Sequence, residues 1–246
     1  MDLSIIIPAF NESQKISRDV EAASTFLKGE DLAGEIIVVD DGSHDDTVAA
    51  AKKADLPPDV HLDIIRYDNH RGKGYAVRTG MVASKGEYVM FADSGNCVPY
   101  KNALRGLDML KSGACELAHG SRKLPESSIQ QRQAWYRRIL SRLFRWVVIR
   151  AMKVPAGLTD TQCGFKMYHG DVARTLYGEC NTDGFMFDME IIVRACKANY
   201  RIREFPIEWT SDRDSRLSPI RSSLRIMLEL LTIRRSMRHY GGQSIT

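Results

Sequence analysis

The chain has 246 residues, enough for one large domain or two small ones, and its 43% hydrophobic and 27% charged residues are ordinary for a globular protein. The formal net charge is only +4, but basic residues are concentrated between Arg122 and Arg150 and between Arg221 and Arg238, which predicts a surface that meets anions. The five cysteines are odd in number and lack CxxC spacing, which argues against a disulfide framework and a zinc site and favours a reducing compartment.

The first half of the chain alternates strand and helix patterns. Strands are predicted at residues 3–7, 36–39, 60–67 and 87–92. Helices are expected between them: one capped by Asn11 or Ser13 that runs to about 28, one from Thr47 through Ala54, and one at 75–84. This alternation predicts right-handed crossovers and a doubly wound, mostly parallel α/β sheet.

The second half is less regular. Helices are predicted at 101–112, 134–151, 185–198 and 220 to about 238, strands at 116–120 and 202–209, and polar loops at 123–133 and 210–219. No repeat or linker separates the halves. We therefore expect one domain over 1–246.

Polar side chains follow three of the predicted strands where each strand ends. They are the stretch from Pro8 through Phe10 to Glu12, the pair Asp40 and Asp41, and Asp93. Because ligands of open parallel sheets sit at the carboxyl ends of the strands, these groups are candidates to bind a base, ribose hydroxyls or a metal. The alternative is a solvated acidic turn.

A basic glycine turn, Arg71-Gly-Lys73-Gly74, precedes the third predicted helix. Its two cations can neutralise a diphosphate, and its glycines let backbone approach closely. It is neither a Walker P-loop nor a GxGxxG fingerprint, which argues against an NTPase or a dehydrogenase. With the carboxylates nearby, the turn predicts a nucleotide-sugar site, although it could be an ordinary basic turn.

Several motifs resemble those of a known family. Three stretches are similar to family 2 glycosyltransferases with the GT-A fold: Ile5-Ile-Ile-Pro-Ala-Phe-Asn-Glu12, Val38-Val-Asp-Asp-Gly-Ser43, and Gly72-Lys-Gly74 with Arg78-Thr-Gly80. Further along, four stretches resemble the branch of dolichyl-phosphate β-glucosyltransferases: Gly120-Ser-Arg122, Asp160-Thr-Gln-Cys-Gly-Phe-Lys166, Phe187-Asp-Met-Glu190 and Trp209-Thr210 with Ser215-Arg-Leu217. The resemblance covers Leu3 to Arg235. It implies inverting transfer of a hexose, with glucose from UDP-glucose as the first expectation, to a polyprenyl or dolichyl phosphate. On this resemblance, residues 1–120 are the nucleotide-sugar half and residues 121–246 the acceptor- and membrane-facing half.

The metal motif departs from the family pattern. The family's DxD motif holds Mg²⁺ or Mn²⁺ between two carboxylates, whereas this chain has Asp93-Ser94-Gly95. Three interpretations compete: a weakened metal site at Asp93, a metal-independent enzyme that relies on Arg71 and Lys73, or an impaired catalyst. We favour the weakened metal site.

Acceptor binding is predicted for a set of polar residues in the second half: Arg122, Arg132, Gln162, Lys166 and Arg216. The four cations in this set could instead be solvated at the surface. A phosphate acceptor needs positioning more than a strong base. If the acceptor were a neutral hydroxyl, Asp188 is the candidate base, unless it pairs within its own helix. Asp160 either orients the acceptor loop or pairs with an arginine. Asp93, Asp160 and Asp188 are thus the catalytic candidates.

Membrane contact is predicted to be peripheral. No apolar run reaches the roughly 18–20 residues of a membrane span, and the first residues lead into a strand rather than a leader peptide. Helix 134–151 combines two tryptophans with an arginine-rich face, as interfacial helices do, and 220–238 has the same character but favours packing on the domain. We expect the cytoplasmic face of a membrane and no nucleic-acid partner, since no RRM, KH or helix-turn-helix signature is present.

Two rival functions remain open on the sequence. One is a related transferase that uses GDP-mannose or a saccharide hydroxyl. The other is a non-catalytic nucleotide-sugar-binding protein, motivated by Gly95.

Overall fold

The structure is a computed structural model that describes residues 1–129, 152, 154–155, 157–210 and 219–237, with side chains of the last segment from 226 onward. Its strands are β1 Leu3–Ala9, β2 Gly34–Asp40, β3 His61–Arg66, β4 Tyr88–Ala92, β5 Leu117–Ser121, β6 Ser128–Ile129, β7 Phe165–His169, β8 Ile202–Pro206 and β9 Glu208–Trp209. Its α-helices are α1 Ile16–Gly29, α2 Thr47–Lys52, α3 Lys73–Ala83, α4 Ala103–Lys111, α5 Gly170–Gly178, α6 Phe187–Lys197 and α7 Pro219–Ser236. A short 3-10 helix, Tyr100–Asn102, precedes α4.

Seven strands form one sheet in the order β3-β2-β1-β4-β7-β5-β8. All neighbours are parallel except β7, which runs antiparallel to both β4 and β5. In the central strands, Ile5 lies opposite Ile36 on one side and Met90 on the other. Runs of β-branched residues such as these are typical of parallel strands covered on both faces. The prediction of a mostly parallel α/β sheet is confirmed.

Helices cover both faces of the sheet. On one face, Ile5 and Ile7 pack in a core that includes Val20 of α1 and Leu107 of α4. On the other face, Ile6 joins a core built with α3, α5 and α6. A third apolar cluster joins α6 to α7. Because alternate residues of a strand point to opposite faces, one apolar run serves both cores.

Three local predictions are corrected. β7 and α5 are not among the predicted elements. The predicted strand 202–209 is two strands, because β9 pairs with β6 outside the large sheet. Neither predicted cap begins α1: the Asn11 side chain accepts a hydrogen bond from His44 N (2.8 Å), and Ser13 N donates to Asp45 (3.1 Å). These contacts join the β1 and β2 tips instead.

The predicted helix 134–151 and nearly all of the predicted loop 210–219 lie outside the described residues. Within the part of the chain that the structure describes, no helix has the length and apolar character needed to cross a membrane.

Candidate functional site

The three polar clusters predicted at strand ends lie on neighbouring strands. β1 is hydrogen-bonded in parallel to β2 on one side and to β4 on the other, so Asp40 and Asp93 flank the end of β1. Asp41 N donates to Ala9 O (2.8 Å), and Asp93 N donates to Gly164 O (2.9 Å). The predicted convergence on one edge of the sheet is confirmed.

Asp41 organises the basic turn. Its buried carboxylate accepts hydrogen bonds from Arg71 N (2.7 Å) and Gly72 N (2.9 Å), and it lies 2.8 Å from His70 Nδ1. The Arg71 guanidinium lies 3.5 Å above the centre of the Tyr75 ring. Asp41 therefore holds the turn in place, a role that the sequence did not predict for it.

Asp40 is in a different situation from its neighbour. Its side chain is 0% exposed, and within the described residues neither carboxylate oxygen has a hydrogen-bond partner. Arg66 forms an ion pair with it, with Nε 3.4 Å from Oδ2. A buried carboxylate without hydrogen bonds costs free energy, which this ion pair offsets in part, and because none of its surface is exposed, the Asp40 side chain supports the edge from within.

The end of β1 supplies an aromatic surface beside these carboxylates. The Phe10 ring lies against the His70 ring, with centroids 4.1 Å apart and an interplanar angle of 31°. Pro8, half-buried, is the next-to-last residue of β1. Glu12 N donates to Thr47 Oγ1 at the start of α2 (2.8 Å), and the Glu12 carboxylate is 3.9 Å from Lys15 Nζ. The predicted stretch from Pro8 to Glu12 thus borders the same edge.

Lys73 and Asp93 form an ion pair on the opposite side of the edge. Lys73 Nζ lies 2.6 Å from Asp93 Oδ1, and the Asp93 side chain is 39% exposed. Burial alone would lower the pKa of Lys73, but the carboxylates of Asp93 and Asp188 outweigh it and raise the pKa above its ordinary value. Lys73 is therefore a charged group at the point where the sequence predicted a diphosphate.

The loop after Asp93 is adapted to glycine at the second position of the DxD motif. Gly95 has φ +98°, a conformation that other residues adopt only at a cost, and its N–H donates to Asp19 Oδ2 (2.8 Å). Burial raises the pKa of Asp19 to about 6. The loop is thus anchored on α1 where a second metal-binding carboxylate would be expected.

The fit of this loop to a divalent cation is partial. Within the described ranges, no group of three or more His, Cys, Asp or Glu residues could hold a metal ion. Asp93 offers one hard carboxylate ligand, already paired with Lys73. Because Mg²⁺ and Mn²⁺ favour several oxygen ligands, an ion here would depend on oxygens of a bound diphosphate.

Lys166 and Asp188 form a buried ion pair behind Lys73. Their side chains are 1% and 4% exposed, and Lys166 Nζ also donates to Thr161 O (3.0 Å). Burial raises the pKa of Asp188, although the lysines oppose this shift. Burial, with Lys166, lowers the pKa of the neighbouring His119 well below its ordinary value, so its imidazole is neutral. Lys166 is therefore not a solvated surface cation.

Asp160 pairs with Arg122, one of the two roles predicted for it. Arg122 Nε and Nη2 donate to its two oxygens (2.7 and 2.8 Å). Burial alone would raise the pKa of Asp160, but the guanidinium outweighs it and lowers the pKa to about 2. Glu204 of β8 accepts Asp160 N (2.7 Å), and the Arg122 guanidinium lies 5.5 Å from the Trp209 ring centre. Arg122 is thus a partly exposed cation whose position is set by its pair with Asp160.

Of the remaining acceptor candidates, Gln162 has a buried Nε2 without a hydrogen-bond partner among the described residues, so it retains a free donor. Arg132 and Arg216 lie outside the described residues.

Two side chains that were not predicted as site residues hold residues 180–186 in place. This segment is called the 180–186 loop below. Arg78 of α3 donates to Cys180 O and to Asp183 Oδ1 (both 2.6 Å). Glu190 of α6 accepts Thr182 N (2.8 Å). Arg78 lies in the family-like motif Arg78-Thr-Gly80, and Glu190 ends the motif Phe187-Asp-Met-Glu190. The motifs alone did not indicate what either side chain does.

A parallel α/β edge bordered by a basic turn, an aromatic surface and a charged lysine is typical of a nucleotide-binding domain. Comparison with known proteins places it more closely. A family model described as glycosyl transferase family 2 matches residues 4–176. The dolichyl-phosphate beta-glucosyltransferase of Homo sapiens is 31% identical over 245 residues, 94% of this chain and 74% of that protein. The Dictyostelium discoideum enzyme of that name is 30% identical over 242 residues, 94% and 73% of the two chains.

A solved structure shows the same fold. The crystal structure of glucosyl-3-phosphoglycerate synthase from Mycobacterium tuberculosis with Mn²⁺, uridine diphosphate and glucosyl-3-phosphoglycerate superposes with a TM-score of 0.72 at 17% identity, covering 95% of this chain and 80% of that one. The chain therefore belongs to glycosyl transferase family 2, and it is an enzyme, a glycosyltransferase with the expected GT-A fold.

Proposed function

We propose that this enzyme transfers glucose from UDP-glucose to a polyprenyl or dolichyl phosphate with inversion at the anomeric carbon. The observation that carries the donor assignment is the charged Lys73 beside the partly exposed Asp93, at the sheet edge where Asp41 holds the basic turn. The relatives named dolichyl-phosphate beta-glucosyltransferase support glucose as the sugar and a lipid phosphate as the acceptor.

In the donor complex, the half-buried Phe10 ring supplies a stacking surface for the base, and Asp40 supports this edge through its ion pair with Arg66. Asp41 acts through the basic turn, which it holds by the N–H groups of Arg71 and Gly72. Lys73 faces the diphosphate and stabilises the charge that develops on it as the glycosidic bond breaks.

A divalent ion, Mg²⁺ or Mn²⁺, is proposed to bind weakly through Asp93 and the donor diphosphate, where it would supply further charge neutralisation. The Mycobacterium tuberculosis structures that contain UDP with Mn²⁺ or Mg²⁺ support divalent metal use in this fold. Because this chain supplies one carboxylate and Lys73 is already present, we expect the metal to increase activity less than in a site with two carboxylates.

The acceptor phosphate attacks the anomeric carbon from the face opposite the UDP leaving group. Its oxygen forms the new bond as the bond to the diphosphate breaks, and no proton has to be removed because the acceptor is already an anion. Arg122, held in place by Asp160, neutralises and positions it. The pairing of Asp188 with Lys166 also favours an acceptor that needs no general base.

Peripheral docking on the cytoplasmic face of a membrane is proposed to deliver this acceptor. In the described part of α7, Met227, Leu228 and Leu231 are exposed, and Arg234 and Arg235 follow. Apolar side chains next to arginines suit the surface of an anionic bilayer. Residues 134–151 are proposed to take part through their tryptophans and arginines.

The test is a product assay with UDP-glucose, UDP-galactose and GDP-mannose, each with polyprenyl phosphate or a saccharide acceptor, in Mg²⁺, Mn²⁺ or EDTA. We expect glucosyl polyprenyl phosphate from UDP-glucose. Lys73→Met should raise the UDP-glucose Kd by about tenfold or more, because a charge-assisted contact to the diphosphate is lost, whereas Lys111→Met at the exposed end of α4 should leave it unchanged. Product from GDP-mannose alone, or donor binding without any product, would replace this proposal by one of its two rivals.

A further inference from the structure

The 180–186 loop touches the basic turn backbone to backbone. A Cβ atom at Gly72 would lie 2.5 Å from Asp183 O, and one at Gly74 would lie 2.5 Å from Thr182 O. These separations leave no room for a side chain between the two segments. A shift of the loop toward the turn would displace the turn, because packed backbone atoms are almost incompressible, and the hydrogen bond from Tyr75 N to Asp183 O (3.2 Å) also links the two segments when the loop moves away.

The other side of the same loop is held by a single acidic residue of α7. Glu229 Oε2 accepts a hydrogen bond from Met186 N (3.0 Å). A Cβ atom at Gly184 would overlap the Glu229 carboxylate, so the glycine provides the space in which that carboxylate sits. Glu229 is also the single acidic residue in the sequence of α7.

The apolar contact between α7 and α6 does not by itself fix the position of α7 relative to the 180–186 loop. Leu230 and Ile233 of α7 are buried with Met189 and Ile192 of α6 in one hydrophobic cluster. Such contacts are non-directional and tolerate small displacements, whereas a hydrogen bond from a carboxylate to a backbone N–H depends on position and angle. Glu229 therefore supplies the positional link between α7 and the loop.

We propose that Glu229 is a positioning residue for donor binding: it sets the 180–186 loop, and through Gly72 and Gly74 it sets the turn that meets the donor diphosphate. This role rests on the proposed function, because the turn matters only if the chain binds a nucleotide sugar there. The consequence is that the seating of α7, the helix proposed to meet the membrane, is coupled to donor affinity.

The test measures UDP-glucose binding by calorimetry and steady-state kinetics with the full chain. Glu229→Ala should raise the donor Kd and KM about five- to tenfold, with kcat and the acceptor KM changed less than about twofold. Glu229→Gln retains an oxygen that accepts from Met186 N and should recover most of the affinity. Thr232→Ala, an exposed position on the same helix, is the matched control and should bind like wild type.

A double-mutant comparison isolates the contact. Gly184→Ala should weaken donor binding in the wild-type background, because its Cβ displaces Glu229, yet add little in the Glu229→Ala background. A fall in kcat or active fraction with an unchanged donor KM, or additive effects of the two substitutions, would overturn the proposal. If Glu229→Ala does not fold, an unchanged KM in Gly184→Ala overturns it equally. Wild type that binds no nucleotide sugar would refute the proposed function instead.

Discussion

Removing the charge of Lys166 should destabilise the fold strongly. Lys166 and Asp188 are 1% and 4% exposed, so Lys166→Met removes the direct ion-pair partner of a buried carboxylate and leaves the more distant Lys73 as a cation that acts on it. Breaking a buried ion pair from one side typically costs about 3–5 kcal/mol. For a chain of this size, 1 kcal/mol shifts Tm by roughly 2–4 °C, so the expected loss is about 6–20 °C. Urea unfolding and thermal melts followed by circular dichroism at pH 7 measure both quantities.

A surface-pair control and a double variant test whether burial of the pair causes the loss of stability. Lys101→Met breaks a surface pair with Glu208, 67% and 45% exposed at 3.5 Å, and should cost less than about 1 kcal/mol. Lys166→Met combined with Asp188→Asn removes both buried charges and should be more stable than Lys166→Met alone. A loss below about 1 kcal/mol in Lys166→Met, or a double variant whose loss equals the sum of the single losses, contradicts the argument.

Three further outcomes are expected. Burial raises the pKa of Asp19 to about 6, so its ionisation opposes folding and its contribution to stability falls as pH rises from 4 through 6; Asp19→Asn should gain about 2–3 kcal/mol relative to wild type between pH 4 and pH 7 in urea titrations, and a pH-independent difference would contradict this. Gly95→Ala should cost about 1 kcal/mol because φ is +98°, whereas Gly178→Ala, with open space and no positive φ, should not destabilise; equal losses in thermal melts would remove the conformational explanation. Asp160→Asn should raise the KM for polyprenyl phosphate by releasing Arg122, while the UDP-glucose Kd from calorimetry stays unchanged; a change in donor affinity alone would point to a different role for the pair.

The antiparallel strand β7 shows why part of the fold could not be predicted. Its sequence, Phe-Lys-Met-Tyr-His, has a lysine at a position that the structure buries completely. From the sequence alone, a charged residue in a strand is expected to face solvent. Its burial depends on Asp188, which arrives 22 residues later on α6 and whose ion pair with Lys166 offsets the cost of burying both charges.

The pair Asp40 and Asp41 shows the same limit at the site. Both follow the same strand and are the same residue type, so the sequence treats them alike. The structure gives Asp41 the N–H groups of the basic turn, 30 and 31 residues away, and leaves Asp40 buried with no hydrogen-bond partner in the described chain. Which of the two carboxylates holds the turn depends on where that distant turn lies.

The sequence by itself determined the central parallel strands, their polar ends and the family, because apolar runs, turn residues and motifs are local along the chain. Only the tertiary structure decided which charges are paired, which are buried and which stay available, because those properties depend on residues brought together from distant positions. Three contacts depend on the tertiary structure in this way: the Lys166–Asp188 pair, the Arg122–Asp160 pair and the packing of Glu229 against Gly184.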